Sequence, residues 1–201
     1  RTAYARLDAS AKGGPSALGF LLRLALVMAI ALAVEFGLRL ALRPLRARLA
    51  AHLNTTAPLG WLMALLLVEA VAVAGLWAVL RGVGSHAAPA NPDQQHLLVL
   101  LFTLLLAWRT YLLAVRAWLR PEAAGARIVP LGDADAAAVY WRIAAVLLII
   151  LSIKALFAHL TGGGVSSDAA AAGGLLANAI IVASAVTAIV RSRSAVAAWF
   201  V

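Results

Sequence analysis

The chain has 201 residues, of which 64% are hydrophobic and only 12% are charged, and its mean hydropathy is +0.96. Soluble domains are about 45–50% apolar and about 25% charged, so this composition leaves too little polar surface to cover a soluble globule. It excludes a soluble enzyme domain, a disordered tail and a nucleic-acid-binding module. The sequence contains no cysteine, which excludes disulfides, thiolate nucleophiles and cysteine-ligated metals. The formal net charge of +9 favours contact with anionic lipid headgroups over contact with nucleic acid.

The two ends of the chain differ from its apolar centre. Residues 1–16 are polar and contain glycine and proline, which favours a lead-in or interfacial segment. Residues 191–201 look like the start of a further segment, because the chain is still apolar at Val201. Since the sequence also begins at Arg1 rather than at methionine, we expect it to be a fragment of a longer chain.

Five stretches between these ends are apolar enough to cross a bilayer, which requires about 20 predominantly apolar residues. None of them alternates with the period of two that a strand requires, and lipid tolerates no open sheet edge. We therefore predict an all-α fold, a polytopic transmembrane helical bundle built from successive hairpins. Its predicted spans are residues 17–42, 59–80, 97–119, 139–160 and 172–190, which together form a membrane domain over residues 17–190.

The distribution of Lys and Arg predicts the orientation of these spans. Nine basic residues follow the first, third and fifth spans, and four lie on the opposite side. Cytoplasmic connections carry the excess of positive charge. We therefore expect five crossings, with the amino end outside and the carboxyl end in the cytoplasm.

An Arg-x-x-x-Arg-Pro segment occurs twice, at the ends of the first and third spans. The copies begin at Arg39 and Arg116, 77 positions apart, and include Arg43 and Arg120. Two arginines at i and i+4 share one helix face and can extend toward phosphates, while proline stops the helix at the water boundary. The pattern indicates either a duplicated hairpin or the ordinary accumulation of Arg and Pro at cytoplasmic helix ends. We expect these four arginines, with Arg46, to bind lipid headgroups.

Charged residues inside the spans are costly and each needs a reason. Glu35 and Arg39 are spaced i and i+4 in the favourable order for an intrahelical pair. Glu69 lies near the centre of the second span and Arg109 at middle depth in the third. Because these two spans are antiparallel neighbours in sequence, a Glu69–Arg109 pair is geometrically available. It would be a structural tie or, alternatively, part of a proton or ion relay.

Catalytic and cofactor-binding patterns are missing from the sequence. The four histidines show no metal-ligand spacing on one helix, and the three glycines at 162–164 lack the lysine and hydroxyl residue of a phosphate-binding loop. We therefore expect a non-enzymatic protein with no catalytic residue, no cofactor and no metal.

The connection after the third span carries a family resemblance. Residues 119–131 read Leu-Arg-Pro-Glu-Ala-Ala-Gly-Ala-Arg-Ile-Val-Pro-Leu, and Asp133, Asp135 and Tyr140 follow. This segment resembles the cytoplasmic loop between helices three and four of the extended MscS-like small-conductance mechanosensitive channels, of the YbiO and MscK type, which carry extra helices before the conserved core. The end of the first span, residues 42–49, is similar to the same proteins, and the resemblance covers about residues 18–158 in helix order.

The resemblance implies that this chain is the outer, tension-sensing paddle of a channel that releases ions and osmolytes on hypo-osmotic shock. It also implies a homo-oligomer, a heptamer, in the bacterial inner membrane with a periplasmic amino end. The family's Gly/Ala-rich pore helix, β-domain and α/β vestibule have no counterpart in these residues, so no pore residue is carried over. The alternative is a secondary transporter or a membrane-embedded accessory subunit with Glu69 and Arg109 in a polar core.

Overall fold

The computed structural model describes residues 15–51, 58–86, 91–120, 131–162 and 167–197, and these residues form helices and short connections without any strand. The all-α prediction is therefore confirmed. In chain order the helices are α1 (Ala17–Ala41), α2 (Arg43–Ala51), α3 (Pro58–His86), α4 (Pro92–Leu119), α5 (Asp133–Gly162), α6 (Ser167–Arg191) and α7 (Arg193–Ala197).

Five of these helices are long and apolar enough to cross a membrane, in agreement with the five predicted spans. The portions that qualify are Ala17–Ala41, Gly60–Gly84, Pro92–Leu119, Asp133–Ala158 and Ala171–Arg191. The chain is thus built as a multi-pass membrane protein. Residues 1–14, 121–130 and 198–201, on which the predicted lead-in, most of the resembling loop and the predicted last segment depend, lie outside the described residues.

Side-chain caps mark the starts of two spanning helices, and one of these helices begins earlier than its predicted span. The hydroxyl of Ser16 accepts a hydrogen bond from the Gly19 amide at 3.1 Å and caps α1. The Asn91 side chain accepts one from the Asp93 amide at 2.9 Å. Since such a side chain satisfies an otherwise unpaired helix donor, α4 begins at Pro92 instead of residue 97.

The first span ends at the first Arg-Pro step, as the proline predicts, but a second helix, which the sequence analysis did not predict, begins almost at once. α1 ends at Ala41, Leu42 makes a one-residue turn, and α2 begins at Arg43 with Pro44 in its first turn. Proline is tolerated there because first-turn amides have no intrahelical partner. The Arg46 amide then donates to the Leu42 carbonyl at 2.9 Å. A second, basic helix therefore follows the first span directly.

The chain divides into two compact units, and the first consists of residues 1–48 and 67–106. Its apolar cluster is formed by Phe20, Leu24 and Leu98. The Gln94 amide group donates to the Pro15 carbonyl at 3.3 Å, so α1 and α4 begin side by side. In the same unit Gly75 of α3 lies against the Leu38 side chain of α1, where a β-carbon would collide with it.

The second unit consists of residues 49–66 and 107–201. Its cluster joins α4 to α5 through Leu112, Leu119, Tyr140 and Ala144. The Trp108 indole donates to the Ala144 carbonyl at 2.9 Å, which satisfies the indole donor in an apolar setting. Further along α5, the ring of Phe157 packs against two successive glycines of α6, residues 173 and 174.

Candidate functional site

The first charged pair lies within α1. Arg39 Nη2 is 2.7 Å from Glu35 Oε1, four residues earlier, and the Glu35 side chain is fully buried. This is the intrahelical arrangement that the i, i+4 spacing predicts. Pairing offsets the large cost of placing a lone carboxylate in an apolar environment.

The second charged pair joins α2 to α3. Arg46 Nη2 lies 3.5 Å from Glu69 Oε1, and both side chains are largely buried. In the structure the Arg46 guanidinium faces a carboxylate of the neighbouring span. Its binding to lipid headgroups stays a prediction. The signal that could have found this pair is the opposite charge of Arg46 and Glu69 on helices that follow one another in the sequence.

Arg109 lies in the second unit, with its guanidinium carbon 5.4 Å from the centre of the Trp108 ring. Cations are attracted to the face of an indole at this distance. Glu69 belongs to the first compact unit and Arg109 to the second. Their predicted pairing stays a prediction.

The remaining headgroup candidates differ in exposure. Arg43 is exposed at the start of α2, whereas Arg116 and Arg120 are buried, at 9% and 4% exposure. Arg120 also has a positive φ of 33° directly after α4, a conformation that an L-residue adopts at a cost. The i, i+4 spacing predicts a basic face in both copies, but an exposed second arginine is found only in the copy that contains Arg43.

A groove of about 420 Å³ lies between α5 and α6, inside the second unit. Its walls are formed by apolar residues of both helices, and Arg142 and Arg191 stand at one end. Nothing in the sequence pattern marks this groove, because its lining residues are the small and branched side chains that any span contains. Arg142 is a site residue that the sequence reasoning missed.

Metal ligands are not gathered at any of these places. No group of three or more His, Asp or Glu comes together within the part of the chain that the structure describes. Comparisons with family models, curated proteins and solved structures found no match for this chain.

Proposed function

We propose that the chain is the tension-sensing transmembrane region of an MscS-like mechanosensitive channel. The proposal rests on the resemblance of residues 119–131 and 42–49 to the extended members of that family. By the same resemblance we propose a homo-oligomer, a heptamer, in the bacterial inner membrane, with the amino end periplasmic and the carboxyl end cytoplasmic. The asymmetry of Lys and Arg independently favours this orientation.

The observation that carries the proposal is how little of each span is covered by protein. In the most apolar window of each span, no more than 22% of the residues are buried, and in α6 none are. Large apolar side chains such as Leu67, Leu175 and Ile189 are at least 67% exposed. So much exposed apolar surface supports the proposal, because a sensor of the bilayer requires extensive contact with lipid.

Tension can act on such helices only through a difference between two states. A stretched bilayer is thinner, and a helix adapts to thinning by tilting or shifting. Of two conformations that expose different apolar surfaces, the thinned bilayer favours the one with the lower free energy of contact with lipid. The difference between these two free energies sets how far the equilibrium shifts. The Arg46–Glu69 pair would transmit movement of the basic helix α2 directly to the span α3.

Patch-clamp recording under graded suction tests the proposal. The protein is reconstituted in liposomes, and we expect currents that open at a reproducible membrane tension and close when suction is released. Empty liposomes are the control. The absence of tension-activated currents in patches that contain the protein would contradict the proposal.

A secondary transporter is the second candidate, favoured by the burial of Glu69 beside Arg46. A membrane-embedded carboxylate is the usual coupling group in proton-driven transport. Against this reading, the hydroxyls beside the α5–α6 groove bind their own helix backbone, which leaves the groove apolar. Solute flux that follows an imposed pH gradient and is lost in Glu69→Gln would favour the transporter.

A further inference from the structure

The groove between α5 and α6 combines an apolar floor with a basic end. Its apolar lining includes Ala145, Val146 and Ile149 of α5 and Ile180 and Ala183 of α6. Its volume of about 420 Å³ lies within the range of about 300–1,000 Å³ typical of small-molecule sites. Both helices belong to apolar spans, so the groove opens toward hydrocarbon.

The two hydroxyl residues of the groove do not make it polar. Ser184 Oγ donates to the Ile180 carbonyl and Thr187 Oγ1 to the Ala183 carbonyl, each at 2.7 Å. Their donors are therefore satisfied within α6, which is the usual state of such residues in spanning helices. What remains along the groove is a surface suited to a hydrocarbon chain.

The basic end of the groove is held in place by hydrogen bonds from α5 to the end of α6. Arg142 Nη1 of α5 donates to the Arg191 carbonyl, at the carboxyl end of α6, and to Ser192 Oγ at 3.0 Å. These bonds satisfy acceptors at a helix terminus and hold the Arg142 guanidinium beside Arg191. Among the described residues no carboxylate lies within ion-pair distance of Arg142 or Arg191.

We propose that this groove binds one anionic phospholipid, with its phosphate at Arg142 and Arg191 and one acyl chain along the apolar lining. Charge complementarity selects the occupant: two guanidiniums at the end of an apolar groove match a phosphate attached to a hydrocarbon chain. Arginine presents a planar fork of donors to phosphate oxygens. The proposal requires only that α5 and α6 cross the bilayer, and it does not depend on channel function.

Native mass spectrometry of the purified chain, released from micelles with added lipid, tests the proposal. Probes are phosphatidylglycerol, phosphatidylcholine with the same chains, and inorganic phosphate. We expect one phosphatidylglycerol to be retained in preference to phosphatidylcholine, without competition from inorganic phosphate. Each arginine near an anionic headgroup contributes roughly fivefold to affinity, so Arg142→Gln with Arg191→Gln should weaken retention roughly thirtyfold.

Two matched pairs of variants separate the site from general effects. Ala183→Phe fills the groove but keeps both arginines, and it should also abolish selective retention. As controls, Arg81→Gln and Ala74→Phe make one Arg→Gln and one Ala→Phe change at exposed positions of α3. Both variants should retain phosphatidylglycerol as the wild type does. Circular dichroism establishes that each variant is helical.

Three results would overturn the proposal. The first is unchanged phosphatidylglycerol retention in a helical Arg142→Gln/Arg191→Gln variant. The second is unchanged retention in Ala183→Phe, which would place the acyl chain elsewhere. The third is rapid disulfide dimerisation of Ala183→Cys in the membrane, which would show that a second copy covers the groove.

Discussion

The two Arg-x-x-x-Arg-Pro segments share one sequence spacing but differ in what precedes them. Arg39 follows a fully buried Glu35 by four residues and pairs with it at 2.7 Å. At the corresponding place before Arg116 stands Leu112, which is equally buried, in the apolar cluster of α4 and α5. The spacing therefore predicts a shared helix face in both copies, while the residue one turn earlier determines how the first arginine is neutralised.

The second arginine of each copy differs in backbone as well as in exposure. Arg43 is exposed and begins the helix α2. Arg120 is buried and has a φ of 33° where α4 has ended. The first Arg-Pro step thus lies in the first turn of a helix, whereas the arginine of the second follows the end of one.

The largest expected effect comes from making the second copy resemble the first. Leu112→Gln should lower the free energy of unfolding by about 3 kcal/mol, because it places an amide in an apolar cluster. Leu112→Glu should cost about 1 kcal/mol less than Leu112→Gln, since Arg116 follows one turn later. Unfolding in mixed detergent and dodecyl sulfate micelles measures both. A larger cost for Leu112→Glu than for Leu112→Gln would show that Arg116 does not reach position 112.

The next largest effect concerns Glu69, the carboxylate that pairs with Arg46 in the first compact unit. Glu69→Gln should destabilise the protein by about 2 kcal/mol, since a largely buried guanidinium loses its partner. Adding Arg46→Gln should restore about 1 kcal/mol of that loss. Adding Arg109→Gln instead should restore nothing. The same unfolding assay distinguishes the two double variants. If stability were restored only when Arg109→Gln is added to Glu69→Gln, the Glu69–Arg109 pair would be supported in place of the Arg46–Glu69 pair.

A smaller effect is expected on lipid affinity, to which the second arginine of each copy should contribute differently. Arg43→Gln should reduce the relative affinity of the membrane-inserted protein for phosphatidylglycerol over phosphatidylcholine by about 1 kcal/mol, or roughly fivefold, because its guanidinium is exposed. Arg120→Gln should leave this affinity unchanged, because its side chain is buried. Quenching of tryptophan fluorescence by brominated lipid measures the binding. Equal losses of affinity for phosphatidylglycerol in both variants would contradict the claim that only the exposed arginine contacts lipid.

The smallest effect tests the backbone difference. At position 120 glycine should be more stable than alanine by about 1 kcal/mol, because glycine adopts a positive φ without steric cost. At position 43 the order should reverse by about 0.5 kcal/mol, because the residue is helical and glycine weakens helices. The quantity measured is the free energy of unfolding of the four variants. The same order of stability at both positions would contradict the difference in backbone.

The architecture could be predicted from the sequence because lipid imposes length and hydropathy on every span. All five spans were found, and several helices extend past the predicted ends, in one case where Asn91 caps the start of α4. The Glu35–Arg39 arrangement was also readable, since both residues lie on one helix and their spacing fixes their separation.

Contacts between helices could not be read in the same way. The partner of Glu69 depends on how α2 returns along α3, and periodicity carries no information about that path. The groove at Arg142 depends on which faces of α5 and α6 meet. Both spans are apolar on all sides, so their patterns single out no face. Packing between helices therefore brings together Arg46 with Glu69, and Arg142 with the end of α6, where the sequence pattern alone indicates neither contact.

The central claim, that the spans present their apolar surface to lipid and respond to the bilayer, is tested most directly by spin labels. Labels replace Val182, which is 59% exposed on α6, and the buried Ala144 of α5. We expect the label at 182 to collide readily with oxygen but not with a water-soluble nickel chelate, and its mobility to change when lysophosphatidylcholine is added. The label at 144 should be shielded from both quenchers and unaffected by lysophosphatidylcholine. A label at 182 that is shielded from oxygen, or that does not respond to the lysolipid, would contradict the claim.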